Sequence, residues 1–192
     1  ESSEPGKFDP CVRPFMEFRV KAYGGTDLSI HPSEYEVHRK PMIPIEAIRT
    51  NEIRNARRRH FKFVQVNGDD WAIQTDGGEK FKMDPRRCSA APEKDTIEIW
   101  ELENGASSWA HNVHIHFQEG KVLLRDNQLP PIWEQFARKD VYRIGGKVDS
   151  SEKIVIALRF RDMPSGTYMM HCHNTQHEDH AMLLRWDIGE DS

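Results

Sequence analysis

The chain has 192 residues, which fits one large domain built around a single substantial core. Its formal net charge of -4 and its pI near 6.2 give no electrostatic reason to expect nucleic acid, which selects for strongly basic protein faces. The mean hydropathy is -0.75, and no apolar run approaches the roughly 20 residues that span a bilayer, so we predict a soluble protein without a membrane span.

The N-terminal segment is rich in proline and charge. Residues 1–14 contain Pro5, Pro10 and Pro14 among charged residues, a composition typical of a linker or arm. Because the numbering opens at Glu1 and not at a methionine, we expect a processed or cut chain whose signal peptide, if it had one, lies outside the sequence.

Short segments of alternating polarity then recur along the chain. In FMEFRVKAY, the apolar residues Met16, Phe18 and Val20 share one face, which is the period of a half-buried strand. The pattern returns in RHFKFVQV, DTIEIWELEN, KIVIALRF and HAMLLRWDI, with turn signals such as Gly77-Gly78 between segments. Many short strands with regular turns predict an all-β fold, an antiparallel β-sandwich.

Two segments break this alternation. Ile45, Ile48 and Ile53 recur at loose helical intervals after Pro44, so we expect a helical insertion at about 44–58 that crosses one end of the sandwich.

The second helical segment, PPIWEQFARKD, predicts a shorter helix with Ile132, Trp133 and Phe136 packed beneath it. The single domain is therefore expected to span residues 15–190 and to carry one or two short helices. The basic run from Arg54 to His60 is interpreted as a solvated helix end, where cations suit the carbonyl pole of the helix.

Seven of the ten histidines fall in two short clusters, and the first is AHNVHIHFQEG. If its HIH lies in a strand, His114 and His116 point to the same face, because side chains alternate along a strand. A lone histidine there would most simply be structural, but three histidines within six positions favour a partial metal site.

The second cluster is YMMHCHNTQHEDHAM. On a strand, His171 and His173 point one way and Cys172 points the other, so two metal environments would lie back to back. Such a connection through the cysteine suits electron transfer from a thiolate-bound metal to an imidazole-bound one.

A loop leaving this strand can return further donors to the thiolate of Cys172. His177 and Met182 follow that cysteine by five and ten residues, and His111 can supply a second imidazole. A thiolate, two imidazoles and a thioether are the ligands of a mononuclear blue-copper site.

Two other metal-binding patterns fit the spacing less well. Structural zinc usually takes paired C-x-x-C or C-x-x-C…H-x-x-x-H spacing, and neither occurs here. A cupin would also start from H-x-H, but it leaves three or four residues before the next carboxylate, whereas only Phe117 and Gln118 separate His116 from Glu119.

Taken together, HNVHIH and HCHNTQHEDHAM resemble the two copper-binding motifs in the C-terminal cupredoxin domain of the multicopper oxidases, the laccase-like family. The likeness is strongest from about Thr96 to Ile188, and FMEFRV is similar to the first strand of that domain. The resemblance implies a cupredoxin-like Greek-key β-sandwich. Two positions depart from the family pattern. Asn112 stands where the family usually has proline, and Phe117 stands where it often has glycine, but neither position donates a ligand.

The resemblance also implies a role for each candidate ligand. The type 1 copper, which accepts single electrons from the substrate, would be held by His111, Cys172, His177 and Met182. The three-copper cluster, which reduces dioxygen to water, would take its type 2 ligand from His114 and its type 3 ligands from His116, His171 and His173. The His171-Cys172-His173 tripeptide would be the electron path between the sites. Glu178 matches an acidic residue that is thought to relay protons in bacterial members of the family. Its alternative role is to orient an imidazole.

The resemblance therefore implies a copper-dependent oxidoreductase that uses dioxygen and a small reducing substrate, either a phenol or a low-valent metal ion. In the family, the cluster needs a second set of H-x-H pairs from an N-terminal cupredoxin domain, and His31, His38 and His60 form no such pair. We therefore expect an N-terminal cupredoxin domain or a second chain to supply the remaining histidines, in a periplasmic or extracellular location.

Other readings stay open at this point. A non-catalytic electron-transfer cupredoxin would use only the type 1 copper and would leave four histidines without a role. A copper-storage protein would carry methionines or cysteines in runs, which the seven methionines and three cysteines here do not form. Cys11 and Cys88 could pair in an oxidising compartment or remain inert thiols.

Overall fold

A computed structural model describes residues 18–29, 48–66, 70–76, 80–81, 83–106, 109–135, 137–146, 152–161 and 163–189. Its eleven strands are β1 (Arg57–Val66), β2 (Asp70–Gln74), β3 (Lys80–Phe81), β4 (Cys88–Ala90), β5 (Ile97–Asn104), β6 (Ala110–Ile115), β7 (Gly120–Arg125), β8 (Val141–Gly145), β9 (Lys153–Arg159), β10 (Gly166–Cys172) and β11 (Leu183–Ile188). The helices within these ranges are α1 (Thr50–Asn55), α2 (Ile132–Gln135) and α3 (Thr175–His180).

The strands form two sheets that pack into a sandwich. The first has the order β3-β2-β1-β5-β9-β7, and the second has the order β4-β11-β10-β6-β8. The predicted all-β sandwich is thus confirmed, although two pairings, β1 with β5 and β4 with β11, are parallel and not antiparallel. Alternation along a strand fixes its buried face but not the direction of its neighbour, so the sequence could not reveal these pairings.

The core lies between the sheets and is dominated by aromatic side chains. Trp100 of β5 is fully buried and lies between Phe61 of β1, at 4.9 Å, and Trp186 of β11, at 6.0 Å, measured between ring centroids. These side chains come from strands that the alternating pattern predicts, which is why the predicted faces and the observed core agree.

Helix α1 covers the outer face of the first sheet. Ile53 and Ile48 pack against a second apolar cluster that contains Ile99 and Val155. Of the predicted helical insertion at about 44–58, residues 44–47 lie outside the described residues, and in the described remainder the helix spans 50–55 before β1 begins at Arg57.

The basic run is therefore not a solvated helix end, because most of it belongs to β1. Arg57 and Arg58 are exposed, but Arg59 is buried on the same face of the strand as Phe61. Its guanidinium makes two hydrogen bonds to the carboxylate of Glu98, of 2.6 and 2.8 Å. A buried cation in this position needs a carboxylate from a neighbouring strand, and that pairing cannot be read from local sequence.

Loss of the Arg59 guanidinium is expected to destabilise the fold strongly. In Arg59→Met, the buried carboxylate of Glu98 keeps, among the described residues, the 2.8 Å hydrogen bond from the indole of Trp100. We expect the free energy of unfolding to fall by about 3 kcal/mol, measured by urea denaturation. Arg58→Met, one residue earlier on the exposed face, is the matched control and should change stability little. Equal losses in both variants would contradict a role for the buried ion pair.

Helix α2 lies in the predicted segment, but its packing differs from the prediction. Its buried residue is Glu134, which forms ion pairs with Arg125 and Lys139. Ile132 and Trp133 are exposed, so the expectation that they pack beneath the helix is wrong, and Phe136 lies outside the described residues. A helix of four residues is too short for its apolar residues to fix which face is buried. The ion pairs of Glu134 with the two cations decided the orientation of this helix.

Near the N-terminus, the predicted first strand is wrong where it can be followed. Residues 18–23 lie in no strand and are exposed, so alternation alone did not provide a pairing partner. The predicted arm at 1–14 and Cys11 lie outside the described residues, while Cys88 is exposed and its thiol donates to the carbonyl of Ala90.

The structure has three short helices in its described ranges, one more than the one or two predicted. None of them is long and apolar enough to cross a bilayer.

Candidate metal centres

The first candidate site brings together His111 of β6, Cys172 at the end of β10 and His177 of α3, all fully buried. The two Nδ1 atoms are 3.2 Å apart, and the Sγ of Cys172 lies 3.5 and 3.6 Å from them. A triangle of this size has a point about 2 Å from every corner, which is close to the bond lengths of first-row transition metals to nitrogen and sulfur. The three donors therefore enclose a space that fits one metal ion.

The chain folds back to this site through a capped helix. The side chain of Asn174 accepts a 3.1 Å hydrogen bond from the backbone of Gln176, which starts α3 and returns His177 to the core. Met182 follows the helix, and its backbone donates to His177 and accepts from Cys172, both at 3.0 Å. Met182 is fully buried, and these bonds tie its backbone to two residues of the candidate site.

The electrostatics of this site suit a metal ligand set. Burial and the neighbouring His177 lower the pKa of His111 to about 3, so its imidazole is neutral and offers a lone pair. Burial raises the pKa of the Cys172 thiol to about 11, so a metal ion would have to displace its proton. In the described part of the chain, the buried Nε2 of His111 has no hydrogen-bond partner, which leaves no competing interaction to turn the ring away.

Aromatic side chains enclose the two imidazoles. Trp71 of β2 stacks on His177, with ring centroids 4.0 Å apart, and meets His111 edge-on at 5.4 Å. Trp109 meets His177 edge-on at 5.2 Å, and Phe63 lies 5.8 Å from His111. This aromatic wall was not predicted from the sequence. Trp109 stands two residues before His111, which is a local signal, but Trp71 comes from the opposite sheet.

A second group of imidazoles lies on the outer face of the second sheet. It consists of His114, His116, His171 and His173, whose ring centroids are 4.6 to 5.6 Å apart where they contact one another. His114 and His171 are cross-strand partners on β6 and β10, and the Nε2 atoms of His116 and His171 are 3.0 Å apart. The shared faces predicted from alternation are therefore present, although His116 and His173 lie one residue beyond their strands.

Burial lowers the pKa of three of these imidazoles, those of His114, His116 and His171, against the opposing effect of nearby carboxylates. Glu178 places a carboxylate oxygen 2.9 Å from Nδ1 of His171, and Asp140 places one 3.5 Å from Nε2 of His114. Glu178 was singled out from the sequence, whereas Asp140 was not, because it reaches the site from the start of β8. Neutral, oriented imidazoles are the form that binds a metal.

The two groups are separated only by the thickness of one sheet. Cys172 and His111 point into the core, while His171, adjacent to Cys172 on β10, and its cross-strand partner His114 point outward. This arrangement is the one predicted for the H-C-H tripeptide. One side chain and a short run of backbone connect the two groups.

A third group of potential donors has a different character. His60, Glu101 and Glu103 approach one another on the exposed side of the first sheet. Lys62 lies 2.6 Å from Glu103, and Lys153 lies 3.4 Å from Glu101. Cations already balance these carboxylates, so this group is an ion-pair network on the surface.

Comparison with known proteins identifies the family. The family model described as multicopper oxidase matches residues 53–192, well over half of the chain. The chain belongs to the multicopper oxidase family. This result confirms the resemblance seen in the two histidine motifs, and copper is the metal that this family binds.

Individual multicopper oxidases give the extent of the likeness. The chain is 34% identical over 132 residues to the bilirubin oxidase of Albifimbria verrucaria, an alignment that covers 67% of this chain and 22% of the relative. It is 35% identical over 125 residues to the multicopper oxidase mco of Staphylococcus haemolyticus, covering 64% of this chain and 26% of the relative. The chain thus spans about a quarter of the length of these relatives.

A solved laccase supports the fold. The laccase of Pediococcus acidilactici superposes with a TM-score of 0.59 at 23% identity, over 78% of this chain and 30% of that one. The predicted cupredoxin-like β-sandwich is therefore confirmed.

Proposed function

We propose that this chain is the C-terminal copper-binding domain or subunit of a multicopper oxidase. The type 1 copper ligands in this proposal are His111, Cys172, His177 and Met182. The observation that carries the proposal is the convergence of two Nδ1 atoms and one Sγ atom within 3.6 Å, directly behind a face that holds four clustered imidazoles.

The imidazole face would hold half of the oxygen-reducing cluster. We assign His114 to the type 2 copper and His116, His171 and His173 to the type 3 pair, with the remaining ligands supplied by an N-terminal cupredoxin domain or a second chain. Bound copper supplies one-electron chemistry, by which a small electron-rich substrate, a phenol or a low-valent metal ion, is oxidised and dioxygen is reduced to water.

Residues of this chain would connect the two sites, exclude water from the first and orient an imidazole of the second. Cys172 presents its sulfur to one site and its backbone to His171 and His173 at the other, which makes the connecting path short and covalent. Trp71 and Trp109 keep water from the imidazoles of the first site, which strengthens electrostatic interactions there. Glu178 holds Nδ1 of His171 at 2.9 Å and is partly exposed, so it can both orient this ring and carry a proton from solvent.

An electron-transfer protein that uses only the type 1 site is the less favoured function. It would have no use for the second group, in which His116 and His171 approach to 3.0 Å and three imidazoles have lowered pKa values. Bringing several neutral imidazoles together on one face costs free energy unless they share a ligand.

The mass and copper content of the native particle test the proposal. We expect a particle larger than the 22.4 kDa of this chain, carrying one type 1 copper, one type 2 copper and a type 3 pair for each copy of the chain. A native monomer of 22.4 kDa with a single copper would instead establish the carrier function. We also propose a periplasmic or extracellular location, as the resemblance implied, and cell fractionation with an antibody to the chain would test this.

A further inference from the structure

Phe117, which directly follows His116, has an unusual backbone conformation. Its φ is +58°, in the left-handed region that a bulky side chain rarely adopts, and its ring is 83% exposed. Within the chain, its centroid lies 6.3 Å from that of His116 and 5.9 Å from that of Tyr168. The backbone is thus strained at a residue whose aromatic ring is largely exposed to solvent. Strain of this kind clusters at functional sites.

The surroundings of Phe117 place it at the edge of the imidazole face. The backbone of His116 donates a 2.9 Å hydrogen bond to the carbonyl of Met169. Met169 lies on the same outer face of β10 as His171, two residues further along, and its side chain is 38% exposed. Two exposed apolar side chains therefore lie next to the imidazoles, Phe117 beside His116 and Met169 on the face of β10 that carries His171.

We propose that Phe117 is the anchor by which the partner cupredoxin domain docks over the imidazole face, with its ring inserted into an apolar pocket of that partner. This inference rests on the proposed function, because the partner is the domain that completes the copper cluster. Aromatic and methionine side chains are enriched in protein interfaces, and a few buried aromatic residues carry most of the binding energy. A ring beside His116 that becomes buried on docking would also exclude water from the histidines.

The partner is identified by what the site lacks. Four imidazoles from one chain leave coordination positions open, so the docking surface has to bring more donors to this same face. A cupredoxin domain with its own H-x-H pairs does so. A second copy of this chain is the alternative occupant, and the composition of the native particle distinguishes the two.

Hydroxyl-radical footprinting read by mass spectrometry measures the burial of Phe117 directly. We expect its oxidation to be at least about 10-fold slower in the native copper-loaded particle than in the 192-residue chain alone.

A pair of variants then tests the energetic role. Phe117→Asn keeps a residue that tolerates a positive φ but removes the ring, while Phe117→Tyr keeps the ring. In the native particle, we expect Phe117→Asn to lose type 2 and type 3 copper to a chelator about 10-fold faster or more, with the visible band of the Cys172 site unchanged. Phe117→Tyr should behave like the wild type. Leu129→Asn, which removes a 76% exposed apolar residue from the loop between β7 and α2, should too.

The possible results separate this inference from the proposed function. A larger particle with the full copper set in which Phe117 stays as reactive as in the free chain would overturn the anchor alone. So would a fall in the unfolding temperature of the 192-residue Phe117→Asn chain, because the ring would then stabilise its own chain. A particle made only of copies of this chain would overturn the choice of partner. A 22.4 kDa monomer would overturn both the anchor and the oxidase proposal.

Discussion

Replacement of Cys172 by serine is expected to abolish the intense visible absorption of the copper-loaded protein. In the proposed type 1 site this absorption would come from charge transfer between a thiolate and copper, and the Sγ of Cys172 is the sulfur in the triangle with His111 and His177. A serine hydroxyl is a harder donor with a much higher pKa, so it does not replace the thiolate. Absorption spectra of copper-loaded wild type and variant measure the effect.

The substitution is nearly isosteric, and the fold should survive it. Cys172 is fully buried, and its backbone hydrogen bond to Met182 does not depend on the side chain. Cys88→Ser, at the exposed cysteine of β4, is the matched control and should keep full colour. A colourless copper-loaded wild type, or a Cys172→Ser variant that keeps its colour, would rule out the type 1 assignment.

Replacement of the outward-facing histidines should have the opposite pattern, with the colour kept and oxygen consumption lost. Asparagine at His114, His116, His171 and His173 removes the four clustered imidazoles that we assign to the three-copper cluster. We expect oxygen uptake by the assembled protein to fall by about 1,000-fold or more, because dioxygen reduction needs the complete metal set. An oxygen electrode and the visible spectrum measure the two properties on the same sample.

A variant with two substitutions instead of four controls for indirect effects on the thiolate of Cys172. His114→Asn with His116→Asn alters only residues from β6 and its end, away from the neighbours of Cys172 in sequence. His60→Asn, in the ion-pair network on the first sheet, is the control that should retain oxygen uptake. Unchanged electron transfer in the variant without the four histidines would favour the carrier function, whereas unchanged oxygen uptake would contradict the assignment of these histidines to the cluster.

Glu178→Gln in the same assays separates the two roles of that carboxylate. If Glu178 carries protons, oxygen uptake falls by about 100-fold with copper content unchanged. If it only orients His171, at 2.9 Å, copper binding at the cluster weakens by about 10- to 100-fold.

Local sequence was sufficient for those features that depend on alternation within one strand. It placed Cys172 on the opposite face from His171, and it predicted the core strands β1, β5, β9 and β11, because side chains of successive residues in a strand point to opposite sides of a sheet. It failed at residues 18–23, where the pattern is present but the described structure has no strand, since a strand also needs a partner.

The sequence by itself determined the donor chemistry, through the residue types and spacing of its two histidine motifs, and with it the family. Only the tertiary structure decided the rest. It stacked Trp71 on His177, buried Arg59 against Glu98, and left Phe117 strained and exposed beside His116. The physical reason is the same in each case. These features depend on contacts between segments distant in the chain, or on a contact that the chain does not itself satisfy, and no local pattern of residues specifies either.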